Sequence, residues 1–289
     1  TACKPEAAII ATPNSTHAEL TIKCLKAGIK VLCEKPMANT IEEANAMLKA
    51  YKKYGGFLQI GFNLRYMFMM REMRKIIDAG IIGEVMHIHY LQTPGSRGRL
   101  WIVDKKKAGG LFYEKLCHQV DIFRYFMGDV KSVDVFAAPN VLPQYTINDN
   151  VYASYRMAKG KVGHISFFAS LAAVVGLKEK DFPKYGHYNR YDIMGTKGSI
   201  SHTHWDHTIL VTRRKKVKDA MISAVYSKKV YSLKKYPDMD NYCKFEDLDF
   251  IHRVLHNKKE YTSPYDSLKT MKAVVASEKS AETGKRVTL

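Results

Sequence analysis

The sequence predicts an α/β fold in which part of a parallel sheet precedes an α+β domain with an open, mainly antiparallel sheet. Two observations carry this. Up to Gly61 the chain alternates short apolar runs with amphipathic helical stretches, the pattern of parallel strands joined by helical crossovers. Beyond Glu84, runs of alternating apolar and polar residues follow one another across short turns, which predicts antiparallel pairing.

The elements follow in order. Residues 7–11 (AAIIA) read as a buried strand, broken by Thr12-Pro13-Asn14. A helix over 16–27 places Leu20, Cys24 and Ala27 on one face and closes at Gly28. Residues 29–33 form a second buried strand, ended by Glu34-Lys35-Pro36. Thr40 and Glu43 have the spacing of a capping box and open a helix through Tyr54. A third strand covers 57–61, completing a βαβαβ unit. A strand at 85–91 and a helix at 109–126, stopped by Gly128, come next. Strands at 132–138, 151–157, 162–169, 188–194, 199–202 and 208–212 follow. They are separated by turns such as Lys159-Gly160-Lys161 and Gly195-Thr196-Lys197-Gly198. Helices at 243–256 and 264–283 close the chain. The division drawn from this is 1–82 for the parallel unit and 83–289 for the α+β unit.

A chain of 289 residues, 46% of them hydrophobic, buries a sizeable core, which excludes a disordered chain. Its longest mostly apolar stretch, residues 167–177, is too short for a membrane helix, and no basic-then-apolar leader is read. Five cysteines without a C-x-x-C pair predict reduced thiols in a cytoplasmic protein, with neither disulfides nor a metal. The formal net charge is +18, concentrated at Arg213, Arg214, Lys215, Lys216 and Lys218 and resumed at Lys228, Lys229, Lys234 and Lys235. No nucleic-acid-binding motif surrounds this run. A solvated hairpin or loop is expected there, without a nucleic-acid or membrane partner.

Three loops at the carboxyl ends of the parallel strands carry polar groups, and ligands bind open α/β sheets at that edge. They are Thr12-Pro13-Asn14-Ser15-Thr16-His17, Glu34-Lys35-Pro36 and Gly61-Phe62-Asn63-Leu64-Arg65-Tyr66. Each alone also fits an ordinary capped turn; their convergence on one cleft is what points to a site. A lysine held at such an edge exchanges protons when its environment shifts it, and a cis Lys35–Pro36 bond is open to this step. A fourth segment runs from Gly109-Gly110 through Glu114, His118 and Asp121. Helical spacing puts those last three on one face, where a carboxylate would orient the imidazole. A lone helical histidine is commonly structural, and E-x-x-x-H without a second histidine is a weak metal signal.

These residues resemble the glucose–fructose oxidoreductase, inositol dehydrogenase and rhizopine catabolism (Gfo/Idh/MocA) family. The resemblance spans ATPNSTH at residues 11–17, EKPMA at 34–38, GFNLRY at 61–66 and AGIIGEV at 79–85. It continues through the GG…E…H…D segment, GTKGSI at 195–200 and the closing SAETGKRVTL. It implies a Rossmann-type domain binding NAD or NADP and a C-terminal domain with an open sheet. It also implies hydride transfer between the nicotinamide and a hydroxyl or carbonyl carbon of a sugar, polyol or related small molecule. Within it, Lys35 matches the substrate-binding, proton-assisting lysine and His118 the acid/base histidine. Glu114 stands where aspartate is more usual and would orient His118. Thr12, Pro13, Asn14 and His17 match the cofactor-lining loop, and Glu34 and Pro36 lie beside the nicotinamide. Asn63, Arg65 and Trp101 approach cofactor or substrate. A non-catalytic ligand-binding or subunit-type descendant is the alternative. No G-x-G-x-x-G occurs in these residues, so the reading expects the chain to begin near the fourth strand of the family's nucleotide-binding sheet. Weak or no NAD binding by these residues alone is expected in consequence. A homodimer or homotetramer is expected too, because an open sheet leaves one face to be covered.

Overall fold

The computed structural model describes residues 4–94, 103–169, 187–204 and 206–289. Strands β1 (Ala7–Ile10), β2 (Lys30–Glu34) and β3 (Leu58–Gly61) pair in parallel in that order. Helices α1 (His17–Lys26) and α2 (Ile41–Tyr54) make the crossovers. Val31, Leu32, Cys33, Leu58 and Ile60 are wholly buried, as in strands covered on both faces. Each large apolar side chain so placed is stabilised by roughly 1.5–3 kcal/mol relative to exposure. The capping box forms: Glu43 N donates to Thr40 Oγ1 at 3.1 Å, and Thr40 N to Glu43 Oε2 at 3.2 Å.

After α3 (Phe68–Asp78) the second sheet begins. Its strands are β4 (Val85–Pro94), β5 (Val130–Ala137), β6 (Asn150–Met157), β7 (Val162–Phe168), β8 (His187–Gly195) and β9 (Gly198–Thr203). They are completed by β10 (Thr208–Val217), β11 (Ala220–Val230) and β12 (Val287–Thr288). The order is β11-β10-β9-β8-β4-β7-β6-β5-β12. Every neighbouring pair is antiparallel except β4 with β7. That exception follows from insertion. Strand β4 lies between β7 and β8, which run in opposite directions, so it must be parallel to one of them.

Helices α5 (Cys117–Met127) and α7 (Pro264–Thr283) pack against one face of this sheet. On the other, Phe136, Tyr152 and Met194 are exposed while their neighbours Val135, Ala153 and Ile193 are buried. Helix α7 also contacts α2 and β3. Helix α6 (Tyr242–Leu255) sends Phe250 and Val254 into a cluster with Leu32 and Phe57. The segment between these helices returns to β3: Ile60 N donates to Thr262 O at 3.1 Å and Tyr261 N to Gln59 Oε1 at 3.0 Å. Helix α7 therefore contacts both sheets and α6 packs on the first, so a cut at residue 82 by sequence order separates residues that touch.

Three elements carry no signal strong enough for the sequence reading to assign them. Helix α3 buries Met69, Met70 and Met73 but has no side-chain cap at Met67. Strand β11 is an edge with almost no buried residue, so no alternation marks it. Strand β12 is two residues long. The basic run lies on the β10–β11 hairpin, with Arg213–Lys216 exposed, as expected of a solvated hairpin. Charge along an edge strand also discourages edge-to-edge pairing. No described helix is long and apolar enough to cross a membrane.

Candidate active site

The predicted helix over 109–126 is broken in a way that shapes the site. A short α4 (Lys105–Ala108) ends at Gly109 in the left-handed region, φ +82°. Gly110 follows at φ +145°, and a Cβ there would lie 2.2 Å from the Glu278 carboxylate of α7. That carboxylate accepts from Phe112 N at 3.3 Å, and burial raises its pKa to about 7. The double glycine thus lets the backbone close onto a buried acid. Residues Phe112–Leu116 then form a π-turn, and regular α5 resumes at Cys117. Such turns recur at functional sites because they re-aim side chains.

Here the π-turn alters the spacing between Glu114 and His118, while His118 and Asp121 share the regular α5. Asp121 is buried and accepts from Arg65 Nε and Nη2, both at 2.7 Å. Arg65 also donates to Asp266 at 2.8 Å and lies over the Tyr125 ring. Arg65, expected to approach cofactor or substrate, here commits Nε and Nη2 to two carboxylates of the chain. Glu114 lines the cleft. What binds Lys35 is its backbone carbonyl, accepting from Nζ at 2.8 Å. His118 Nδ1 is buried without a hydrogen-bond partner among the described residues, so no Glu114 carboxylate orients it through that nitrogen.

The other strand-end residues are placed as follows. The Lys35–Pro36 bond is cis. Pro36 O and Thr12 O flank His17, 2.8 Å from Nδ1 and 3.0 Å from Nε2. His17 is wholly buried, so it ties two loops together rather than lining a surface. Thr12 and Pro13 are exposed and Asn14 is half-buried, and Asn14 Nδ2 is shielded from solvent yet lacks a partner among the described residues. Glu34 folds over Gly61, whose absent Cβ would sit 3.0 Å from Glu34 Oε2; burial raises this carboxyl above its ordinary value. Asn63 donates to Cys243 Sγ at 3.5 Å, leaving Oδ1 buried and without a partner among the described residues. Trp101 lies outside the described residues.

Lys35, Asn63, Glu114 and His118 share a cavity of about 260 Å³ between the loops of the first sheet and the second sheet. Its far wall comes from residues the sequence reading passed over: Gln92 on β4, Asn189 and Tyr191 on β8, His202 on β9 and His204 just after it. They sit on ordinary-looking strands, and only strand pairing brings them opposite Lys35 and His118. Gln92 Oε1, Asn189 Oδ1, His202 Nε2 and His204 Nδ1 are buried without partners among the described residues. Buried polar atoms carry a desolvation cost of about 1–3 kcal/mol each unless something bonds them. His202 Nδ1 lies 2.9 Å from Thr208 O. A carbonyl only accepts, so Nδ1 carries the proton and Nε2 is left as a bare acceptor toward the cavity. Burial lowers the His202 pKa to about 4, which keeps it neutral at physiological pH. Burial first, then the charges of Lys35 and Lys115, hold His118 well below the ordinary histidine value. A histidine kept neutral beside a lysine is equipped to accept a proton.

Comparison with known proteins agrees with this architecture. Residues 1–62 match the oxidoreductase family with an NAD-binding Rossmann fold, and residues 70–201 match the GFO/IDH/MocA C-terminal domain. The chain is 30% identical to scyllo-inositol 2-dehydrogenase (NAD(+)) of Bacillus subtilis over 196 residues, 68% of this chain and 54% of that protein. It is 30% identical to inositol 2-dehydrogenase of Rhizobium meliloti over 201 residues, 68% of this chain and 56% of that one. The matched part thus spans little more than half of these relatives. Levoglucosan dehydrogenase, solved in complex with NADH and levoglucosan, superposes with a TM-score of 0.80 at 22% identity, over 98% of this chain and 80% of its own. The two family matches fall in the order and at the places where the two sheets lie, and on that ground the chain belongs to the Gfo/Idh/MocA oxidoreductase family.

Proposed function

We propose that this protein is an NAD(P)-dependent dehydrogenase acting on a CH–OH group of a sugar or polyol. The observation that carries the proposal is the cavity: a lysine and a neutral histidine face a wall of buried, unsatisfied acceptors. A molecule with several hydroxyls supplies the donors that Gln92, Asn189 and His202 lack. An apolar ligand would leave them unpaired.

The residues present fit a nicotinamide cofactor. Asn14 in the loop after β1 and Asn63 in the cavity wall each keep a shielded polar atom without a partner among the described residues, and Gly61 keeps the third strand end narrow beside Glu34. Thr12, Pro13, Asn14, Glu34, Pro36 and Asn63 would hold it. Bound there, the nicotinamide supplies the hydride acceptor or donor. The chain's own part is proton handling. Lys35 has one Nζ–H committed to Glu114 O and the others free to address the reacting oxygen. In the oxidation direction His118 accepts the hydroxyl proton, while Lys35 stabilises the developing alkoxide. Glu114 lines the same cavity and sets the local charge. The open face bearing Phe136, Tyr152 and Met194 supports assembly into a homodimer or homotetramer, and the reduced thiols support a cytoplasmic setting.

The test is nicotinamide absorbance on mixing the purified full-length protein to which these residues belong with NAD or NADP and a panel of cyclic polyols, aldoses and sugar acids. Turnover with at least one is expected. Ligand-induced thermal stabilisation without turnover would replace this reading with a binding-only one.

A further inference from the structure

At the mouth of the same cavity a second group of side chains comes together that the proton chemistry does not use. His204 follows β9, His207 precedes β10, and Asp240 directly precedes α6 at its cap residue Asn241. One ligand-type atom from each lies within 4.8 Å of the other two. His207 Nε2 and Asp240 Oδ2 are 3.3 Å apart. Ligands bound at about 2.0–2.1 Å in a tetrahedron around zinc stand roughly 3.3–3.4 Å from one another. The pair is therefore already at a coordination edge, and a ligand atom of His204 lies within 4.8 Å of both.

We infer that His204, His207 and Asp240 form a binding site for a divalent first-row transition ion of the zinc class, with a further coordination position open toward the cavity.

Three features support this beyond proximity. His204 Nδ1 is buried and without a partner among the described residues, so it has a lone pair or a proton committed to nothing there. His204 also lines the cavity, which places an ion where a substrate oxygen or water reaches it. The backbones of both histidines are tied to neighbouring segments. His204 N donates to Asn189 O at 3.0 Å, Tyr231 N to His207 O at 3.1 Å, and Thr208 N to Asp206 Oδ1 at 3.0 Å. Ligands on anchored backbone lose less freedom on binding, a condition that favours a metal site. Two imidazoles and one carboxylate favour zinc, cobalt or nickel over the all-oxygen preference of magnesium and calcium. The competing account is that His207 and Asp240 are an ordinary surface ion pair.

The experiment needs neither cofactor nor substrate, so its outcome is independent of the dehydrogenase reading. Tag-free protein is stripped with a chelator, dialysed and titrated with Co²⁺ while its visible spectrum is followed; Zn²⁺ is then added to displace it. One Co²⁺ per chain is expected, with d–d bands of nitrogen–oxygen ligation and no thiolate charge-transfer band. His207→Ala and Asp240→Asn should each lose it, and Cys243→Ser should keep it. Asp240→Asn preserves shape at an exposed position, and equal melting temperatures verify that it folds. No stoichiometric uptake, uptake indifferent to both substitutions, or uptake lost in Cys243→Ser would overturn the inference.

Discussion

Lys35 Nζ donates to the backbone carbonyl of Glu114 at 2.8 Å, tying the loop after β2 to the π-turn that leads into His118. The two proposed proton-handling residues are thus positioned by one another's segments. Positioned acid/base groups contribute about 10²–10⁴-fold to rate. Lys35→Ala and His118→Ala should therefore each lower kcat by at least about 100-fold. Circular dichroism and melting temperature should remain near those of the parent. Near-normal turnover in both variants would remove them from the mechanism.

The charge of Lys35 also acts on His118 at a distance. A neighbouring cation disfavours imidazolium, so it helps keep His118 well below the ordinary 6.5. The parent enzyme should hold its oxidation rate as pH falls through 6.5, because the base stays unprotonated. Lys35→Met removes one cause of that depression. Its residual activity should show an acid limb displaced to higher pH. The comparison is a kcat/KM profile of both proteins, and an unmoved limb in the variant would mean that burial alone sets the histidine.

The far wall predicts a different kinetic signature. Asn189 Oδ1 has no partner among the described residues and faces the polyol in the proposed complex. Asn189→Leu keeps the volume and removes the polar group. It should raise KM about tenfold, about 1.4 kcal/mol of lost binding, and leave kcat within a few-fold. An equal fall in kcat with KM unchanged would instead place Asn189 in contact with the reacting centre.

How much of this was legible beforehand depends on how local each feature is. The βαβαβ opening, the Thr40–Glu43 cap and the loops at Thr12, Lys35 and Asn63 are local in sequence and could be read directly. The path of Arg65 could not. Its motif position suggested a ligand contact, but Arg65 pairs with Asp121 and Asp266, 56 and 201 residues away in sequence. No local spacing marks a pairing over such separations. Gln92, Asn189, His202 and His204 were missed for a related reason. On strands they look like alternating polar residues, and only the insertion of β4 between β7 and β8 turns them toward one cavity. Glu246 and Glu278 were invisible because nothing in a helix's own sequence says that its acid will be buried by another element.

The Arg65 network is structural on this geometry, which sets up a separable prediction. Asp121 is almost wholly enclosed, its side chain 2% exposed. Removing its cation leaves a buried charge uncompensated, which costs about 3–5 kcal/mol. Arg65→Met should lower unfolding stability by that amount in urea, and adding Asp121→Asn should recover part of the loss. Cofactor affinity of the folded fraction should stay unchanged. A stability change below about 1 kcal/mol, or a loss of cofactor affinity without destabilisation, would return Arg65 to the binding site.

Glu246 on α6 makes the last prediction, as a buried acid set among other carboxylates. It is 1% exposed, and Oε1 lacks a partner among the described residues. Burial, followed by the charges of Glu34, Asp247, Asp121 and Asp249, raises its pKa from 4.5 to about 9. Between these values the folded chain keeps a proton that the unfolded chain releases. The group's contribution to stability is therefore complete below pH 4.5 and is lost progressively as pH rises toward 9. Each unit of difference is worth about 1.4 kcal/mol at most. Glu246→Gln keeps the shape of the protonated acid and removes the titration. The variant should melt several degrees above the parent at pH 8, on the order of a few kcal/mol, and together with it near pH 4.5. Identical melting at both pH values would show that Glu246 reaches solvent or a cation when folded. A shift of the same size at both would trace to packing rather than to the proton.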